Sequence, residues 1–308
     1  MQIDDRILDA QERAVFALRQ LFLDSGFQRF RMNKFEPYDL YARHKDFLVS
    51  DAVLTFTGTG GRLLALRPDV TLSIVKSYQD EGNLRLQYNE NVYRPDPSGG
   101  DYQEIMQSGI ECLGQVGLQE TCQVLTLSAH ALRCLDNNWV LTLGHMGILW
   151  PVIQRCSLNK AEQAQLMLLV SQKNAGGLKA YAQAQELPRE TVAELERLLL
   201  LFGDPQEVLT ALAESHEGEL AYQELRCVYE SLHAQDLGPH IRIDFSLGAD
   251  PAYYDGIVFK GYLDGLAQAL LSGGRYDPLM HRLHKRSGGI GFAVYLDQLN
   301  NFKQETAS

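Results

Sequence analysis

The chain has 308 residues, 45% of them hydrophobic and 22% charged, and a formal net charge of −11. That composition suits a globular protein with a sizeable core and excludes collagen-like, coiled-coil and disordered chains. The acidic balance argues against a generic nucleic-acid binder, whose phosphate contacts need clustered Lys and Arg.

Residues 4–25 read as an amphipathic helix, with Ile7, Leu8, Val15, Leu18, Leu21 and Phe22 near one stripe and Gly26 as its stop. Phe27 to Tyr41 reads as extended. Val53–Thr57 and Arg62–Leu66 flank Gly58-Thr59-Gly60-Gly61, a hairpin signal. A phosphate loop is the alternative there, but it should open into a helix and carry Lys-Ser or Lys-Thr. Pro68–Tyr78 reads as a short helix. Leu84–Tyr93 and Tyr102–Leu113 read as long strands joined by a loop rich in Pro and Gly. A helix over Leu118–Asn137 and a strand over Val140–Gly144 follow. Residues 159–235 then carry Ala, Leu, Glu and Gln in helical spacing, with Leu195, Leu198, Leu199 and Phe202 on one apolar face. Strand character returns at His240–Phe245 and Tyr254–Leu263, and the glycine-rich Ser287–Gly291 leads into a last helix. Strands with helices packed behind them make an α+β layout. The expected division is a core of residues 1–158 and 236–308, interrupted by a helical insertion of residues 159–235.

No run approaches the roughly 18 apolar residues of a membrane span. The acidic start, Met1-Gln2-Ile3-Asp4-Asp5, is unlike a signal peptide. The five cysteines are widely spaced with no Cys-x-x-Cys pair, so neither zinc nor a disulfide framework is expected and a reducing cytoplasm fits. The eight histidines show no metal spacing. His281 and His284 form an i, i+3 pair without a third ligand. No nucleophile motif is present, and no cofactor is implied.

Gln103, Ile105, Gln107, Gly109 and Glu111 share one strand face by period-2 parity; Met106, Ile110 and Cys112 share the other. A solvated face is one reading of the polar set. The other is a binding surface, where Gly109 lets a ligand lie against the sheet. Asp69 and Thr71 stand near a helix start, where simple capping is the alternative to ligand binding. Tyr254 and Tyr276 fit a packed core as readily as a pocket. Together, carboxylates, an amide, a hydroxyl and phenols suit a small zwitterion with a polar ring.

These segments, in this order, resemble the catalytic core of histidyl-tRNA synthetase, a class II synthetase. Leu64-Ala65-Leu66-Arg67-Pro68-Asp69-Val70-Thr71 looks like that family's Leu-Arg-Pro-Glu-Gly-Thr stretch. Arg85 to Gly114 looks like its motif 2, Tyr253-Tyr254 and Gly273-Gly274-Arg275-Tyr276-Asp277 like its histidine signatures, and Gly291-Phe292-Ala293 like the start of motif 3. The resemblance covers roughly residues 4–299. It implies an antiparallel sheet flanked by helices and a histidine pocket of Asp69, Thr71, Gln107, Glu111, Tyr254 and Tyr276, with Arg94 as the retained motif 2 arginine.

Departures cluster where the family holds ATP. Tyr295 replaces a motif 3 glycine, Asp297 a glutamate and Gln298 the phosphate-gripping arginine; neutral Gln supplies no bidentate charged contact. Asp101 stands in the motif 2 loop where the family has arginines. Gly248-Ala249-Asp250-Pro251-Ala252 lacks the arginine that precedes the Tyr-Tyr pair, and Asn33 stands where motif 1 has proline. The stretch after Leu299 is too short for the family's anticodon-binding domain, so no tRNA partner is expected. This combination looks like the regulatory subunits of ATP phosphoribosyltransferase. That resemblance implies a non-catalytic subunit of histidine biosynthesis that dimerises within a hetero-octamer, partners a short-form catalytic subunit and takes histidine as feedback effector. A degenerate amino-acid-activating enzyme and a histidine-binding module with another partner are the alternatives.

Overall fold

In the computed structural model the described residues are 7–43, 52–96, 99–216, 218–247 and 253–299. The first helix, α1, spans Ala10–Asp24. It starts later than its apolar stripe suggests because Asp9 and Glu12 form a reciprocal cap: Asp9 Oδ1 accepts from Glu12 N at 2.7 Å, and Glu12 Oε2 accepts from Asp9 N at 3.0 Å. Gly26, at φ 83°, turns the chain out. The stretch expected to be extended holds strands β1 (Gln28–Arg29) and β2 (Phe35–Pro37) but closes in a short helix, α2 (Tyr38–Ala42).

The hairpin expected around Gly58–Gly61 is present. Strands β3 (Thr55–Thr57) and β4 (Leu63–Leu66) are antiparallel and make a small sheet with β2. Helix α3 (Val70–Ser77) follows, then strands β5 (Leu84–Pro95) and β6 (Tyr102–Gly114), helix α4 (Leu118–Leu135) and strand β7 (Trp139–His145). An unexpected helix, α5 (Met146–Gln154), comes next with Pro151 inside it. His145 caps it: Nδ1 accepts from Gly147 N at 3.0 Å, so the ring proton sits on Nε2 and is donated to Glu224 at 3.1 Å.

Five helices fill the segment read as helical: α6 (Lys160–Ser171), α7 (Ala175–Ala184), α8 (Arg189–Leu200), α9 (Pro205–His216) and α10 (Leu220–His233). Between α8 and α9 lies a two-residue strand, β8 (Phe202–Gly203). Phe202 is thereby taken off the apolar face assigned to it and is 56% exposed. The chain ends its described part with β9 (Ile241–Asp244), β10 (Ile257–Leu263), β11 (Leu271–Arg275), a short helix α11 (Asp277–Arg282) and β12 (Gly288–Tyr295). The glycine-rich stretch is therefore a strand, and all but the start of the expected last helix falls outside the described residues.

The main sheet has nine strands in the order β1-β5-β6-β12-β11-β10-β7-β9-β8. It is antiparallel except where β1 meets β5 and β7 meets β9. On its back face Ile110, Cys112, Ile290 and Phe292 pack with Leu18 and Phe22 of α1 and Leu125 and Leu132 of α4. The rings of Phe22 and Phe292 meet edge to face at 5.8 Å. Each such large side chain contributes about 1.5–3 kcal/mol by leaving water. The front face carries a second core. There Leu86, Tyr88, Val92 and Leu113 of the sheet meet Val70, Leu72, Ile74 and Val75 around α3, with Leu279 and Met280 of α11.

Candidate functional site

The site lies on the front face, where α3 approaches the paired strands β5, β6 and β12. Register places Glu111 between Leu86 and Gly291, Gly109 between Tyr88 and Ala293, and Gln107 between Glu90 and Tyr295. Directly paired residues share a face, so these nine side-chain positions form one patch of the sheet. Gln107 is 3% exposed and Glu111 1%. From Gln107 to Glu111 the polar face of β6 is therefore buried, and the solvated reading fails there, while Gln103 and Ile105 are half-buried.

Glu111 is the hub. Its Oε1 accepts from the Thr71 hydroxyl at 2.6 Å, and its Oε2 accepts from the Tyr276 hydroxyl at 2.5 Å. The carboxylate lies over Gly291, where a Cβ would fall 1.9 Å from Oε2. Two more glycines make room for rings: a Cβ at Gly289 would meet the Tyr276 ring at 2.2 Å, and one at Gly274 would meet Tyr254 at 2.7 Å. Gly109 differs from expectation. No ligand is needed to fill its slot, because the Tyr88 hydroxyl already lies 2.5 Å from where its Cβ would be.

Asp69 caps α3, accepting from Leu72 N at 2.7 Å. The capping reading holds, yet it is incomplete. The other oxygen of Asp69 faces Arg94 Nη2 at 3.6 Å, and Arg94 Nε donates to the Pro68 carbonyl at 2.8 Å. Thr71, in the first turn of the same helix, is aimed at Glu111 rather than at the backbone. The Tyr254 ring lies tilted against that of Tyr253, with centroids 4.6 Å apart, and the Tyr253 ring lies 6.1 Å from that of Tyr276. Gln107 joins the patch by position and burial, but it makes no side-chain hydrogen bond among the described residues, so its amide is free for a ligand.

Sequence reasoning missed Tyr88 and the supports behind α3. Arg67 is fully buried, pairing with Glu90 at 2.9 Å and donating to the carbonyls of Asn33 and Asn91. Glu36 accepts from both Tyr41 and Ser73. The strand parity of Tyr88 with Glu90 and Arg94 was the available signal for the first; nothing in the spacing signals the others.

Burial drives the electrostatics. It pushes the Glu111 carboxyl up to about 8 against the two hydroxyl bonds, and Asp69 adds to the rise. Burial also raises Asp69, opposed chiefly by the Arg94 guanidinium. The phenols of Tyr254 and Tyr276 are held protonated by burial, and nearby negative charge reinforces this. The Arg94 guanidinium thus serves Asp69, while Glu111 is held by hydroxyls alone. The arrangement can accept hydrogen bonds from a cationic or N–H-bearing group at Glu111, and it offers no nucleophile. No metal-binding cluster occurs among the described residues.

The positions where the sequence departs from a synthetase do other work. The Tyr295 and Ser272 hydroxyls are 2.8 Å apart, and Gln298 Nε2 donates to the Ala269 carbonyl at 3.4 Å. Asp101 is exposed. Residues 248–252, which lack the expected arginine, lie outside the described residues.

Residues 4–299 match the histidyl-tRNA synthetase family. A curated ATP phosphoribosyltransferase regulatory subunit of Bacillus mycoides is 30% identical over 297 residues, which are 94% of this chain and 71% of that protein. The chain belongs to the histidyl-tRNA synthetase-like family of ATP phosphoribosyltransferase regulatory subunits. Solved structures agree with the fold. The Bacillus halodurans ATP phosphoribosyltransferase regulatory subunit/histidyl-tRNA synthetase superposes with a TM-score of 0.83 at 25% identity, covering 95% of this chain and 78% of that one. A chain of the ATP phosphoribosyl transferase complex of Thermotoga maritima superposes with a TM-score of 0.72 at 18% identity, covering 93% and 97%. The class II architecture expected from the motifs is therefore the observed one.

Proposed function

We propose that this chain is the regulatory subunit of ATP phosphoribosyltransferase in histidine biosynthesis, and that it senses free histidine in the pocket built on Glu111. The observation that carries the sensing role is the buried Glu111 carboxyl. It is oriented by Thr71 and Tyr276 and has no cation within ion-pair distance among the described residues. An imidazole N–H supplies the missing donor, and Asp69 with the free Gln107 amide suits an ammonium and a carboxylate at the other end. The subunit is non-catalytic in this proposal, since Arg94, the retained motif 2 arginine, is engaged by Asp69 and Pro68.

The partner is the short-form catalytic subunit, in a cytoplasmic hetero-octamer that includes dimers of this chain. The small sheet supports dimerisation: Phe35 and Phe56 stack edge to face at 5.2 Å, and both are exposed beside exposed Leu63. In this proposal residues 1–158 and 236–308 make up the synthetase-like core. Residues 159–235, the helical insertion, are one candidate for the surface that meets the catalytic subunit.

Purification from the native source tests the assignment: a short phosphoribosyltransferase should accompany the chain, and histidine should inhibit the complex. Glu111→Ala should leave assembly intact and weaken inhibition. Appreciable ATP–pyrophosphate exchange with histidine by the isolated chain would overturn the non-catalytic reading.

A further inference from the structure

Tyr295 closes β12 and projects from the same face as Gln107, its register partner. Its hydroxyl does not point away from the pocket. It meets Ser272 Oγ, and Ser272 registers with Ala293, two residues back along β12. The ring therefore spans from β12 toward β11, over the sheet floor made by Ala293 and Ser272. It stands near the rest of the site too, because Ala293, next along the same face of β12, registers with Gly109, against which the Tyr88 hydroxyl lies. Gly291 is covered by the Glu111 carboxylate and Gly274 by the Tyr254 ring, and beyond them the floor consists of the small side chains Ala293 and Ser272. That stretch would let a ligand extend past Glu111 along the sheet, were it not covered by a half-buried phenol tied down at its tip.

We infer that Tyr295, held by Ser272, sets the length limit of the pocket: it admits a free amino acid and excludes one whose carboxylate is extended by a nucleotide. The inference rests on the pocket reading above, and it names a residue that decides between ligands instead of one that grips them. The hydroxyl pair holds the ring in place, but the ring itself does the excluding. Removing the hydroxyl alone should therefore change little, whereas removing the ring should open the floor.

The test compares two ligands by calorimetry on the full chain: free histidine, and histidyl-sulfamoyl adenosine, a stable stand-in for an adenylate. The readout is the ratio of their affinities, which cancels any general loosening of the fold. In the wild-type chain histidine should bind better. Tyr295→Gly should shift the ratio toward the nucleotide analogue by about 10–100-fold, the range typical of steric exclusion. Tyr295→Phe should leave it within a few-fold of wild type. If the wild-type chain binds the analogue as well as histidine, or if Tyr295→Gly leaves the ratio unchanged while histidine still binds, the inference falls and the histidine pocket stands. If Tyr295→Gly binds the analogue while the wild-type chain binds neither ligand, the length limit stands and the free-histidine reading falls.

Discussion

On strand β6, Ile110 and Glu111 are neighbours that face opposite ways, and both are buried. Ile110 enters an apolar core with α1 and α4, where any well-packed hydrophobe of similar volume would serve. Glu111 enters a polar core in which each oxygen has one hydroxyl donor and the backbone beneath must be glycine. The back face maximises burial at little electrostatic cost. The front face keeps a carboxyl out of water without a counter-charge, an arrangement that opposes stability and makes sense where a ligand supplies what is missing.

Three substitutions and a titration can break this comparison. The largest effect on stability should come from Ile110→Ala, about 2–5 kcal/mol by denaturant unfolding; histidine affinity per folded molecule should barely move. Glu111→Gln should behave in the opposite way. Histidine binding measured by calorimetry should weaken by about 10–100-fold, the worth of a hydrogen bond to a charged group. Stability should rise instead of fall, with a definite pH sense. The unfolded chain releases this proton near 4.5, whereas the folded chain holds it to about 8. Wild-type stability is therefore eroded as pH climbs between those values, and the advantage of Glu111→Gln over wild type in melting temperature should grow across the same window. A loss of stability at pH 8 would show that the carboxylate is satisfied without a ligand.

Gly291→Ala should cost about 1–3 kcal/mol, because the new methyl meets Glu111 Oε2 and the Ile110 carbonyl. It should reduce histidine binding as well, so it links the two faces through a single atom. The smallest effect is a proton count. Binding that requires ionised Glu111 should release close to one proton at pH 7, seen as a dependence of calorimetric heat on buffer. Proton uptake instead would place the ligand against the protonated acid.

Much of this was legible in the residues. Period-2 parity separated Ile110 from Glu111, and the order of short motifs located the patch. Parity names a face without saying what covers it, so the burial of Gln107 was not legible. Nor was the bond to Thr71, which lies 40 residues away in sequence. The glycines misled twice. Ser287–Gly291 reads as a glycine-rich lead into a last helix, yet Gly288–Tyr295 is strand β12, where Gly289 and Gly291 serve as seats for Tyr276 and Glu111. Gly109 reads as room for a ligand, yet Tyr88 had already taken it. Helix α5 was hidden by Pro151 and by its own continuous apolar run, which carries no helical period.

The two-residue strand β8 has a mechanical meaning. Through it the five-helix segment contributes the outermost rung of the main sheet, and Lys173 of that segment bonds Asp244 of β9 at 2.7 Å. From β9 the ladder runs to β7 and on to β10, whose entry segment carries Tyr253 and Tyr254. A partner gripping those helices would therefore hold the far end of a continuous stack of paired strands, β8-β9-β7-β10, that leads to the aromatic wall of the pocket.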